Sequence, residues 1–142
     1  PERERIYRNL KRQGLVQIDK AENDSYRLTI TPAGAHRLTS ETLDEIEVPK
    51  MKKWDGRWRL TCYDIPAGKN VERRALAKHL QRMGFTMLQK SMWVHPHECI
   101  EQVGQITDSL GISRYVSVVE VVKLDEYSTK KLISKYQTTV SI

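Results

Sequence analysis

The sequence predicts an α+β fold built in two parts, and three observations predict it. Residues 1–40 hold one helical apolar repeat followed by two short alternating runs. Residues 41–53 switch abruptly from acidic to basic. Residues 54–142 carry strand, helix, strand, strand, helix and strand signals in that order. At 142 residues the chain is long enough for one good core or two small ones.

The first part reads as helix, hairpin, helix. Ile6 and Leu10 lie four apart within a helix over 2–13, and Gly14 is its stop. Leu15 to Ile18 and Tyr26 to Ile30 alternate as two short strands around a turn cluster from Ala21 to Ser25. Thr31 followed by Pro32 places a cap and a first helical proline, so 32–39 is a short helix. The acidic stretch 41–49 ends at Pro49 and runs into Lys50-Met51-Lys52-Lys53. That shift sets the expected boundary, with a linker over 41–53.

In the second part Trp58 to Ile65 alternates and stops at Pro66. Asn70 is expected to cap a helix running to Gly84, with Leu76, Leu80 and Met83 on its buried stripe. Phe85 to His95 reads as two short strands or one bent one, closed by Pro96. Cys99, Val103, Ile106 and Leu110 fit a helix ended by Gly111. Valine-rich Tyr115 to Leu124 is a strand, 125–136 a helix, and the tail 137–142 an added strand. A βαββαβ order packs two helices on one face of an antiparallel sheet, the ferredoxin-like arrangement. Many unrelated functions use it, so function must come from particular residues.

Composition narrows the classes. No apolar run approaches the roughly 20 residues that span a bilayer, and the charged opening Pro1 to Arg5 is no signal peptide. The first residue is not Met, so the natural start is expected upstream. Cys62 and Cys99 form neither a disulfide framework nor a four-ligand metal spacing, which suits a reduced, cytoplasmic protein. The net charge of +6 divides as +3 over 1–40, −4 over 41–49, +8 over 50–95 and −1 over 96–142. A basic middle third suits a polyanionic partner and equally a solvated surface.

Several separated motifs sharpen this. Trp54-Asp55-Gly56-Arg57-Trp58-Arg59-Leu60 leads into Thr61-Cys62-Tyr63-Asp64-Ile65-Pro66. Arg73-Arg74, Gly84-Phe85 and Leu88-Gln89-Lys90-Ser91-Met92-Trp93-Val94 follow in order. Over roughly residues 50–124 this set resembles the CRISPR-associated Cas two family. It is closer still to the middle domain of PaaX-type repressors, regulators of phenylacetate breakdown. Leu10 to Ile18, Tyr26 to Thr31 and Gly34 resemble the rear half of a winged helix, a recognition helix with its wing. The resemblance implies a homodimeric regulator of double-stranded DNA with a partial winged helix, needing no cofactor, its small-molecule effector unassigned. The alternative is a Mg²⁺-dependent nuclease or spacer-integration subunit of the Cas two type, with Asp64 of both protomers as catalytic metal ligands.

Each candidate has an ordinary reading beside the functional one. Arg5, Arg8 and Arg12 sit opposite Ile6 and Leu10, and with Asn9, Lys11 and Arg27 would face DNA. An amphipathic surface helix explains them too. Arg74, Lys78 and Arg82 form one helix edge, extended by Arg73, suited to phosphates or to solvent. Asp64 is a metal ligand or a structural strand-end residue. His95, His97 and Cys99 offer only three zinc donors around Pro96 and fit a polar loop better. Trp58 and Trp93 are expected in the core, with Trp54 pinning the linker.

Overall fold

The computed structural model describes residues 1–138 and Val140. The chain is an α+β protein that divides into two compact units, Pro1–Glu45 and Ile46–Ile142.

The first unit runs α1 (Glu2–Arg12), β1 (Val16–Lys20), β2 (Tyr26–Ile30) and α2 (Pro32–Asp44). Gly14, at φ +72°, ends α1 in a conformation that other residues adopt only with strain. The strands pair antiparallel from Val16↔Ile30 to Lys20↔Tyr26, and left-handed Asn23 and Asp24 turn the hairpin. Thr31 caps α2 as expected: its Oγ1 accepts from the Gly34 N–H at 3.1 Å and donates to the Gly14 carbonyl at 2.7 Å. The helix does not stop at residue 39. It continues through Glu41 to Asp44 because Arg37 pairs with Glu41 at 3.2 Å and Leu43 is buried, so the first residues of the expected linker are helical. Burial is sparse in this unit. Val16, Gly34 and Leu43 are buried, whereas Ile6, Tyr26, Leu28, Ile30 and Leu38 are exposed.

The second unit opens with an irregular segment, residues 46–57. Then come β3 (Trp58–Tyr63), α3 (Asn70–Arg82), β4 (Thr86–Gln89), β5 (Met92–His95), α4 (Ile100–Leu110), β6 (Val116–Val121) and α5 (Glu126–Lys135). The four strands form one sheet in the order β4-β5-β3-β6, antiparallel at every pairing. Asn70 is not a cap. A short 3-10 turn over Ala67–Lys69 precedes it, and Asn70 is the first helical residue. Gly111, at φ +70°, ends α4 as the sequence predicts.

Alternation along β3 separates two rows. Trp58 and Leu60, with Val94 of β5, pack under α5 through the fully buried Leu132 and against Val140. Arg59, Thr61, Trp93 and His95 form the other row by register, and His95 reaches the Met83 carbonyl at the end of α3. The buried stripes Leu76–Leu80 of α3 and Val103–Ile106 of α4 belong to that second layer. The expectation of helices on one face thus gains a third helix on the other, because an apolar row of Trp58, Leu60 and Val94 needs cover from water. Gln137 and Thr138 form a turn, not the added strand expected over 137–142. Thr139, Ser141 and Ile142, also in that expected strand, lie outside the described residues.

Candidate nucleic-acid interface

The cationic helix α1 is ordered by its own sequence. Glu2 and Glu4 occupy its first turn and Lys11 and Arg12 its last, matching the helix dipole at both ends. Its C-terminus is fastened to the start of α2: the Leu15 N–H donates to Leu10 at 3.1 Å, Thr31 N–H to Leu15 at 3.1 Å, and Arg37 Nη1 to Gln13 Oε1 at 2.6 Å. A Cβ on Gly34 would lie 2.0 Å from the Leu15 carbonyl oxygen, so only glycine permits this approach.

On this frame Arg5, Arg8, Asn9, Lys11 and Arg12 are all exposed. Arg12 Nη2 donates to Asn9 Oδ1 at 2.9 Å, which orients the guanidinium, and Arg5 lies 3.9 Å from Glu2. Arg27 is exposed on β2, but the hairpin around it also carries Asp19, Glu22 and Asp24. Positive charge in this unit is therefore concentrated on the helix and diluted on the hairpin.

The basic edge of α3 divides. Arg74 and Lys78 are exposed. Arg73 is half-buried and donates to the Ile65 carbonyl at 3.3 Å, tying α3 to the turn after β3. Arg82 donates to the Ile46 carbonyl at 2.8 Å and meets His79 Nδ1 at 3.3 Å, holding the first residues of the unit.

The largest departure from the sequence reading is Arg59. It counted towards the basic middle third, yet its side chain is 1% exposed. It lies 2.5 Å from Asp55, 3.3 Å from Glu120 and 3.7 Å from Glu98, and donates to the carbonyls of Arg57 at 3.0 Å and Pro96 at 2.8 Å. Its bond and charge hold the Asp55 carboxyl below the ordinary carboxylate range. Trp54 donates from Nε1 to Pro96 at 2.9 Å, and Met51 N–H to His97 Nδ1 at 3.1 Å. The segment 46–57 is thereby stitched to the sheet. A strand arginine between Trp58 and Leu60 with Asp55 four residues before it was the available signal. Tyr136 was also missed: its hydroxyl bridges Gly84, Thr86 and Val94.

Asp64 is exposed just beyond β3, and its backbone N–H donates to the Tyr115 carbonyl at 3.0 Å. No group of three His, Cys, Asp or Glu suited to a metal occurs among the described residues. The trio of His95, His97 and Cys99 does not suit zinc either. Burial holds His95 neutral, its pKa down to about 4, and pushes the Cys99 thiol up to about 12. Both histidines serve as internal bonds instead: His95 Nδ1 accepts from the His97 N–H at 3.0 Å, so its protonated Nε2 donates to Met83 at 3.2 Å. Among the described residues no helix is long and apolar enough to cross a membrane.

No curated protein was found to match the sequence significantly. The family model of the PaaX protein central Cas2-like domain matches residues 51–133. That span holds the stitched Trp54–Arg59 segment, the four-stranded sheet, α3, α4 and most of α5. More than half the chain is covered, and the chain belongs to the family of the PaaX protein central Cas2-like domain.

Proposed function

We propose that this chain is a DNA-binding transcriptional regulator, with the first unit as a partial winged helix and the second as a ferredoxin-like dimerisation domain. The observation that carries this reading is the exposed row Arg5, Arg8, Lys11 and Arg12 on a helix fixed to the hairpin that follows it. Family membership supports the regulatory role, and the sheet order β4-β5-β3-β6 supports the ferredoxin-like reading. Arginine and lysine on phosphates supply affinity, Arg8 and the Asn9–Arg12 pair reach base edges, and Arg74 and Lys78 add phosphate contacts. Two copies, paired through their sheets, set the spacing of two such helices on a pseudo-palindromic duplex. The protein works in the cytoplasm and needs no metal.

The test is fluorescence anisotropy on a duplex pool with the full chain, without divalent ions. Arg8→Ala is expected to weaken binding by about 1–3 kcal/mol, the cost of a lost base-edge contact, and Lys11→Ala to lower the salt slope by about 1, the value for one phosphate left unneutralised. Unchanged affinity in Arg8→Ala and Arg12→Ala together sinks the assignment. The exposed Asp64 carboxylate at the end of β3 favours a second reading, Mg²⁺-dependent cleavage by paired copies. Metal-dependent nicking abolished by Asp64→Ala would establish it instead.

A further inference from the structure

A cavity of about 300 Å³ opens beside the stitched segment, at the lower end of the size of small-molecule sites. One wall is the segment itself, with Glu47, Val48 and Lys50; the other is the end of the sheet layer, with Met83, His95 and His97. Its charged groups are Lys50, Arg82 and Glu47, so cations outnumber anions. His97 is 3% exposed and its Nδ1 accepts from the Met51 N–H. The ring proton therefore sits on Nε2, and that buried donor has no acceptor among the described residues. Buried donors are nearly always paired, so an isolated one beside a cavity marks where an acceptor is missing.

We propose that this cavity binds a small oxyanion, a carboxylate or phosphate group, which accepts a hydrogen bond from His97 Nε2 and pairs with the Lys50 ammonium. An anionic acceptor makes a stronger bond than a neutral one, and it withdraws proton character from Nε2 so that Nδ1 becomes a better acceptor for Met51. Nε2 is out of contact with solvent, so the ligand reaches it only as the packing around His97 shifts, and His97 holds Met51 through Nδ1. Binding and the path of residues 46–51 are for that reason coupled. The site lies in the second unit and does not depend on DNA binding by α1.

The test is a two-dimensional amide NMR titration of the full chain at pH 7 with sodium phosphate or sodium acetate, ionic strength held with chloride. A saturable shift at Met51 and His97, slower exchange of the Met51 amide, and at least a tenfold loss of affinity in Lys50→Gln are expected. Saturation by phosphate alone, or by acetate alone, identifies the group taken. Lys50 is exposed, so its substitution leaves the fold intact. No saturable shift at Met51, shifts spread evenly over the surface cations of α1 and α3, or unaltered binding by Lys50→Gln would each overturn the proposal.

Discussion

Replacing Arg59 by methionine is the sharpest test of how the second unit is held together. The side chain is 1% exposed and spans Asp55, Glu120 and the carbonyls of Arg57 and Pro96. Breaking a fully buried ion pair from one side costs roughly 3–5 kcal/mol. Here the carboxylates of Asp55 and Glu120 are 30% and 44% exposed, so water rehydrates part of what the guanidinium leaves behind. Methionine also fills most of the aliphatic volume. About 2–3 kcal/mol is therefore expected, or roughly 8–24 °C in melting temperature for a unit of this size. Urea denaturation followed by circular dichroism measures it. In a cycle with Asp55→Asn the coupling should exceed that with Glu120→Gln, because Asp55 takes two bonds, at 2.5 and 2.9 Å, and Glu120 one at 3.3 Å. A variant as stable as the parent, with coupling below about 0.5 kcal/mol, would refute the view that Arg59 is the keystone of this segment.

Other outcomes follow from the same geometry. Gly34→Ala pushes a Cβ to 2.0 Å from the Leu15 oxygen, a backbone atom that cannot swing away, and about 3 kcal/mol of destabilisation is expected. Loss of hydrogen-exchange protection confined to residues 1–45 would register it. His95 is buried neutral with its pKa lowered from 6.5 to about 4, so the unfolded chain takes up its proton first. Stability from this group is full above pH 6.5, falls by about 3 kcal/mol towards pH 4, and is checked by urea midpoints across that range. Asp55 acts lower: its carboxyl is held down by Arg59, so its contribution is present above the unfolded pKa near 3.8 and disappears only as pH falls further, an effect Arg59→Met abolishes. Tyr136→Phe removes the hydroxyl that bridges Gly84, Thr86 and Val94, and a loss of about 1–2 kcal/mol by the same denaturation assay is expected.

Much of the fold was legible because local rules and tertiary structure agreed. Thr31 before Pro32, Gly14 and Gly111 past helix ends, and the Leu76–Leu80–Met83 stripe each specify the element that forms. Where the two disagreed, a neighbour distant in sequence decided. Glu41 to Asp44 look like linker by composition, but Leu43 is buried and extends α2. Asn70 has the chemistry of a cap, but the chain after Pro66 tightens into a 3-10 turn first. The candidate site was less legible, since net charge does not say which cations face water. Arg8, Lys11, Arg74 and Lys78 do, whereas Arg59 spends its charge on Asp55 and Glu120, and Arg73 is tied to Ile65. An arginine's role depends on partners, and spacing within the sequence does not reveal those 61 residues away.

The second face of the sheet bears on how two copies would pair. Because α5 and Leu132 cover the row of Trp58, Leu60 and Val94, that face is not free for another sheet. What remains are the rims. On β4 the register shifts between Met87 and Gln89, an irregularity that disfavours further pairing. On β6 the outer edge carries Val119, 46% exposed, with Val122 at 77% just beyond the strand. An unpaired valine-rich edge invites another strand unless charge or irregularity blocks it, and Glu120 is already directed to Arg59 and Arg57. If the chain dimerises as proposed, the β6 rim is therefore the place where substitution should act. Val119→Lys should halve the sedimenting mass at micromolar concentration while leaving the monomer fold intact, because the residue is exposed there. A dimer unaffected by that charge would move the interface away from β6 and, with it, the spacing assigned to the two α1 helices.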